Sequence, residues 1–296
     1  MKRLPLMLVL LLSATALSQD MEPRAYSNAP TGLNIVLVSL VHSRGNIVLD
    51  TGLPIEDAKA EVNLAAAAYV RSLNVWGKSA KVAVVLPVAD ADAQGILAGD
   101  FVAINRQGLG DALVRFGVNF YGAPALTMKD FAKYRQKTIA GFTLQAGLPT
   151  GQYDNTKQIN LGTNRYSLRA ELGFSHHMKR WTLEAALGRA WFTDNDEFLV
   201  TSTRGQQPIS SFQGHLIYTI RRGMWLSLNN VYFKGGGKIL DGVRQNDRQE
   251  NTRTGLTFAM PLKPGHALKL FATTGVSTRI GTDFDTVGIA WQHVFR

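Results

Sequence analysis

The last residues of the chain, DTVGIAWQHVFR, alternate. Val287, Ile289, Trp291, His293 and Phe295 fall on one face of an extended segment, and Thr286, Gly288, Ala290, Gln292 and Val294 on the other. A period of two residues predicts a strand. The same sorting recurs upstream. Over 110–121, Val114, Phe116, Val118 and Phe120 oppose Arg115, Gly117 and Asn119. Over 164–175, Tyr166, Leu168, Ala170, Leu172 and Phe174 oppose Arg165, Ser167, Arg169, Glu171 and Gly173. Leu256, Phe258 and Met260 oppose Arg253, Gly255, Thr257 and Ala259, and Leu268, Leu270 and Ala272 oppose Lys269, Phe271 and Thr273. One face is mostly bulky and apolar, the other charged, hydroxylic or small. In a soluble sandwich the bulky face is the core. In a membrane barrel it meets lipid, and the polar face lines the lumen.

The pattern predicts strands near 32–42, 60–73, 79–89, 110–121, 136–148, 164–175, 180–192, 209–219, 224–235, 251–261, 266–275 and 284–295. Their connections alternate in length. NVWGKSA, SHHMKR, IRRG and LKPGH are tight. GNIVLDTGLPIEDAK, ADADAQGILAGDFVAINRQGLGD, PTGQYDNTKQINLGTN, TDNDEFLVTSTRGQQP, KGGGKILDGVRQNDRQEN and STRIGTDFD are longer and polar. Outer-membrane barrels have this asymmetry, with short periplasmic turns and longer external loops. One periplasmic connection, GAPALTMKDFAKYRQ, is long, and 128–135 reads as a brief amphipathic helix, with three readings open: a plug, a rim of the mouth, or simply a longer loop. Trp76, Tyr121, Trp181, Tyr218, Trp225 and Phe295 sit at the short-turn ends of strands, and Tyr166, Trp191, Tyr232 and Phe284 near the other ends. Membrane interfaces favour two such bands. The expected fold is all-β, a transmembrane antiparallel β-barrel of about 12 strands over 32–296, with both termini periplasmic. Closure requires the last strand to pair with the first. Its outward aromatic series suits recognition by the barrel-assembly machinery.

Composition narrows the class. Lys2 and Arg3 precede the apolar run 4–12 and the small-x-small sequence Ala16-Leu17-Ser18, which reads as a secretory signal peptide over 1–18. Residues 19–31 follow as a polar, irregular segment expected on the periplasmic side. No later stretch approaches the roughly 20 apolar residues of a membrane helix. Cysteine is absent, which excludes disulfides, thiolate metal sites and cysteine nucleophiles. The net charge of +10 is spread without blocks, so with an export signal a nucleic-acid partner is not indicated.

Several ordered motifs carry a resemblance. RAYSNAPTGLN, LPIEDAKAEV, RSLNVWGKSAKVAVVLP, GLGDALVRFGVNFYGAPAL, LPTGQYD, NLGTNRYSLRAELGFS, GHLIYTIRRGMWLSLN, DGVRQNDRQENTRTG and GVSTRIGTDFDTVGIAWQ together resemble the family described as the putative MetA pathway of phenol degradation. The resemblance covers nearly all of the mature chain. It implies an outer-membrane barrel in a Gram-negative cell, near aromatic-compound catabolism, and supplies no catalytic residues.

Parity directs Arg71, Lys81, Arg115, Arg165, Arg169, Arg253 and Lys269 into the lumen, with Glu61, Glu171 and Glu184. Two readings follow. A basic lumen favours anions such as aromatic carboxylates; alternatively, the charges pair across strands and fill a narrow barrel. A barrel of this size lies between filled eight-stranded and open sixteen-stranded ones, which favours a narrow, partly occluded pore. His176 and His177 diverge on an extended chain and make a poor metal pair. Asp194, Asp196 and Glu197 lack EF-hand spacing, so no metal or cofactor is expected. External Lys and Arg are placed to meet lipopolysaccharide. G-x-S-x-G, phosphate-loop and H-E-x-x-H motifs are absent, so a lipid-modifying barrel enzyme would need a Ser–His pair assembled by geometry. A structural barrel with a filled lumen is a further alternative. The reading reached is passive passage of small aromatic or hydrophobic compounds, without energy coupling.

Overall fold

Segments that alternate in this way extend, and each finds its nearest partner in the neighbouring segment of chain. The computed structural model describes residues 21–49 and 55–296; the signal peptide over 1–18 lies outside the described residues. The first strands are β1 (Asn34–Val48), β2 (Ile55–Val75), β3 (Lys78–Leu97), β4 (Asp100–Leu109), β5 (Ala112–Tyr121) and β6 (Thr138–Leu148). Then come β7 (Ser167–Met178), β8 (Trp181–Phe192), β9 (Asn195–Phe198), β10 (Ser202–Gln206), β11 (Ile209–Arg221) and β12 (Met224–Gly235). The chain ends with β13 (Lys238–Leu240), β14 (Val243–Arg244), β15 (Gln249–Lys263), β16 (His266–Thr278) and β17 (Gly281–Phe295). Within GAPALTMKDFAKYRQ the helix is a single turn, α1 (Met128–Phe131), capped by Thr127, whose hydroxyl accepts the Asp130 N–H. Its residues are exposed or half-buried and do not line the lumen cavity.

The wall runs β2-β1-β17-β16-β15-β12-β11-β8-β7-β6-β5-β3, and pairing of β2 with β3 closes it. Every pairing is antiparallel, and the last strand meets the first from Asn34↔Phe295 to Val48↔Gly281. Closure leaves the sheet without an edge in lipid, where no water could satisfy one. β4 and β5 act as one wall strand. β3 pairs with β5 through Val85↔Leu113 and with β4 from Val88↔Leu109 onward. Between them Gly110 bulges against Pro87, donating its N–H to the proline carbonyl at 3.0 Å. Proline has no donor for the ladder, and the bulge absorbs the gap. A Cβ on Gly110 would lie 3.1 Å from Pro87 Cγ and press on the proline ring.

All twelve expected segments are strands, and several run further than expected at the external end. Along β3 the exposed outward series Val84, Leu86, Val88 gives way to Asp90 and Asp92, bonded by Asn105 of β4. That change marks where the wall leaves hydrocarbon and enters water, not where the strand stops. Much of the first long connection therefore belongs to β1 and β2, and the second folds as the β3–β4 hairpin. TDNDEFLVTSTRGQQP and KGGGKILDGVRQNDRQEN supply a separate external sheet, β14-β13-β10-β9.

The bulky face points outward, with Leu168, Leu172, Leu187, Leu228, Leu256 and Val287 among its exposed members. Trp76, Tyr121, Trp181 and Phe295 are exposed at the periplasmic rim, and Tyr166 and Trp191 at the outer one. Trp225 and Phe284 differ from expectation: both are buried on the inner face. Trp225 packs with Ile217 and Ala259 beneath the Arg24 guanidinium, and Arg253 donates to the Phe284 carbonyl at 2.6 Å. Leu172→Arg, in mid-strand on the lipid face, should destabilise the folded barrel by about 2–4 kcal/mol. Urea titration of folding into phosphatidylcholine vesicles would measure it.

Candidate functional site: a lumen with two unlike walls

Residues 21–31 do not lie outside the barrel, as the sequence suggested for 19–31; they thread into it. Hydrogen bonds from several elements fasten the segment at the periplasmic rim. Thr31 N–H reaches Leu126 O at 2.9 Å, Ser72 Oγ reaches Pro30 O at 2.6 Å, and Asn28 Nδ2 reaches Pro124 O at 3.1 Å. Lys81 Nζ donates to the Ala25 and Ser27 carbonyls at 3.2 and 3.0 Å. Further in, the Tyr26 hydroxyl donates to Glu171 at 2.7 Å, and Asn119 Nδ2 to Tyr26 O at 3.1 Å. Arg24 N–H donates to Glu184 at 2.6 Å, and its side chain to Thr219 at 2.9 Å. Glu22 pairs with Arg115. Met21 reaches the Ile209, Val231 and Phe233 cluster near the outer end. Glycines on the inner face make room: a Cβ on Gly173 would stand 1.9 Å from the Tyr26 ring.

These contacts locate the charges expected in the lumen. Lys81, Arg115, Glu171 and Glu184 hold the threaded segment. Arg169 Nη2 is 2.5 Å from Glu171 Oε2, and Gln213 Nε2 donates to the same oxygen at 3.2 Å. Ser175 donates to Glu184 at 2.8 Å. Arg253 and Lys269 face the open cavity, and Arg165 stands at its outer end. Arg71 and Glu61 do not face inward. Both are exposed and share the outward parity of Tyr69. In NLAAAAYV small apolar residues occupy both faces, so alternation gives no direction there. Arg71 lies opposite Asn34 at the periplasmic end, where a long cation reaches the headgroup region. Glu61 lies opposite Arg44, in the part of the wall above the lipid.

The ambiguous segments prove to be the informative ones. A cavity of about 560 Å³ occupies the rest of the lumen. On its β1–β3 side it is lined by Leu37, Val41, Val62, Leu64, Ala66, Ala68, Val85 and Ala89. Across the lumen the inward side chains are polar and largely hydrogen-bonded to one another: His215 bonds Asn229 at 2.9 Å, and Asn229 donates to Thr257 at 2.9 Å. The chain thus builds one apolar wall and one hydrogen-bonded wall, and the threaded segment lies against the latter. LAAAAYV and VAVVLPVA were the sequence signals of the apolar wall, hidden because their outward neighbours are apolar too.

Among the described residues no group of three His, Asp or Glu side chains is arranged to hold a metal. His42, His176, His177 and His215 bond to Asn63, Thr138, Thr182 and Asn229, not to a serine.

Known proteins give an independent view. Residues 44–287 match the model of a family described as "Putative MetA-pathway of phenol degradation". Comparison with curated proteins finds no match. Among solved structures, the COG4313 outer membrane channel from Pseudomonas putida F1 is similar with a TM-score of 0.81 at 20% identity, over 93% of this chain and 100% of that one. The β domain of the Bordetella autotransporter BrkA is similar with a TM-score of 0.52 at 10% identity, over 88% of this chain and 98% of that one. At such identities the likeness is one of fold.

The geometry makes a prediction about occlusion. Tyr26→Ala removes the ring from the Gly173 groove, and Gly173→Val drives it out; both should raise single-channel conductance in planar bilayers severalfold. Tyr26→Phe keeps the ring and loses only the hydrogen bond to the Glu171 carboxylate, worth about 1.5–3 kcal/mol, so its conductance should stay near wild type.

Proposed function

Since the chain belongs to this family, we propose that it passes small hydrophobic or aromatic compounds across the outer membrane of a Gram-negative cell, down their gradient. The observation that carries this reading is the apolar wall of β1–β3 facing an open cavity. An aromatic solute that buries about 100 Å² of apolar surface there gains roughly 2–3 kcal/mol. Passage requires binding strong enough to enter and weak enough to leave, and this gain meets both conditions. The charged wall supports the reading in another way. Arg115 and Arg169 are matched by Glu22 and Glu171, so these charges position the threaded segment and leave little basic bias. Arg165, Arg253 and Lys269 supply the residual positive side. No chemical step is assigned. The surroundings follow from the same surfaces. We assign the outward Ile289, Trp291 and Phe295 of β17 to recognition by the barrel-assembly machinery, and external Lys and Arg to lipopolysaccharide.

Two variants test the proposal. Leu64→Asp with Val85→Asp should reduce toluene or phenol entry into proteoliposomes severalfold while ion conductance is kept or raised; equal entry by variant and wild type would refute the apolar route. Arg115→Ala with Arg169→Ala leaves Glu22 and Glu171 unmatched, so reversal potentials in asymmetric KCl should move toward cation selectivity.

A further inference from the structure

We propose that Arg165 and Arg204 form an anion-binding site under the external loops, at the outer end of the lumen, sized for one halide ion or one carboxylate oxygen. Arg165 ends the loop that leads into β7, and Arg204 lies on β10 of the external sheet. Arg165 is only 6% exposed. Its Nη2 bonds Gln206, its guanidinium lies over the Phe192 ring at 4.7 Å, and its buried Nη1 has no hydrogen-bond partner among the described residues. Arg204 lies over the Phe198 ring at 5.2 Å, with a buried Nε that is likewise unpartnered. Both arginines line one small polar cavity of about 10 Å³, with Tyr153, Asn160, Thr163 and Asn195. That space holds roughly one water-sized sphere.

The charge arrangement favours an anion over water. Neither arginine forms an ion pair with a carboxylate among the described residues. The acidic groups nearby are committed or exposed. Asp247 pairs with Lys238 at 3.4 Å. Asp111 accepts from the Gly151 and Thr163 N–H groups and the Thr163 hydroxyl at 2.6–2.9 Å. Asp194 faces solvent. Asp194 and Asp111 act on Arg165 and Asp247 on Arg204 without contact, and a buried guanidinium without a directly paired carboxylate is costly. Burial, and next the Arg204 charge, hold the Arg165 guanidinium down to about 9, which a bound anion would relieve. Arg165 and Phe192 also line the large lumen cavity. A carboxylate on the two arginines could therefore direct an attached aromatic ring into the apolar lumen. The site rests on the loop geometry alone; only the aromatic-acid extension rests on the passage reading.

Chloride NMR linewidths with the full-length protein in detergent test the site without requiring conductance. Wild type should broaden the chloride resonance saturably. Arg165→Gln and Arg204→Gln, shown folded by heat-modifiable migration, should reduce that broadening at least several-fold. Benzoate that displaces chloride at matched ionic strength would show that a carboxylate shares the site. Chloride binding without displacement by benzoate would sustain the site, assign it to inorganic anions and overturn the aromatic-acid extension. Wild-type broadening no greater than that of the folded variants would mean that water fills the cavity and would overturn the proposal. Should the variants not fold, crystals soaked in bromide decide: an anomalous peak between the two guanidinium groups supports the site, and none refutes it.

Discussion

A backbone in hydrocarbon has no water to bond, so every amide of the wall must find its partner in the wall. Much of the structure follows from that constraint. It forces the sheet to close, with β17 paired to β1 along its whole length. It makes Pro87 a local problem that the Gly110 bulge solves. It also creates an interior that cannot stay a simple void, because a barrel of this width is too wide for its own side chains to fill and narrower than an open porin.

The interior meets that demand unevenly. Against β5, β7 and β8 the chain returns its own N-terminal segment, held by Arg115, Asn119, Glu171 and Glu184. Charges that would otherwise give the lumen an electrostatic preference are spent on that segment and on each other. Against β1–β3 the segment is held at the periplasmic end by Ser72 and Lys81, and the rest of that wall is small and largely apolar. A lumen divided in this way suits solutes that prefer hydrocarbon to water. The lumen-lining cations without an ion pair among the described residues include Arg165 at the outer mouth, Arg253 on β15 and Lys269 on β16.

Above the membrane the same alternation serves a different solvent. β1, β2, β3 and β4 continue into water with outward polar side chains, and the short external sheet covers the opposite side. Arg165 and Arg204 meet beneath that cover, brought together from a loop and a short strand that lie about forty residues apart in the chain.

Alternation, tight turns set against long connections, and a bulky face too large for any soluble surface were all local properties, and they sufficed for the all-β class, the barrel and its twelve wall strands. Parity read directly from charge also placed Arg115, Arg169, Glu171, Glu184 and Arg253 inside. It failed where both faces were small or apolar, so Arg71 and Glu61 were turned the wrong way and the apolar wall of β2 and β3 went unseen. Strand length was misjudged where the outward face passed from lipid to water, because polarity then changes without any change in backbone. The path of residues 21–31 could not be read at all. Nothing local in RAYSNAP requires a lumen, and only closure brings Gly141, Gly173 and Glu171 around Tyr26. Secondary structure follows from the order of neighbours along the chain. Occlusion, pairing of charges and the cavity arise from contacts between residues far apart in it, which exist only once the wall has closed.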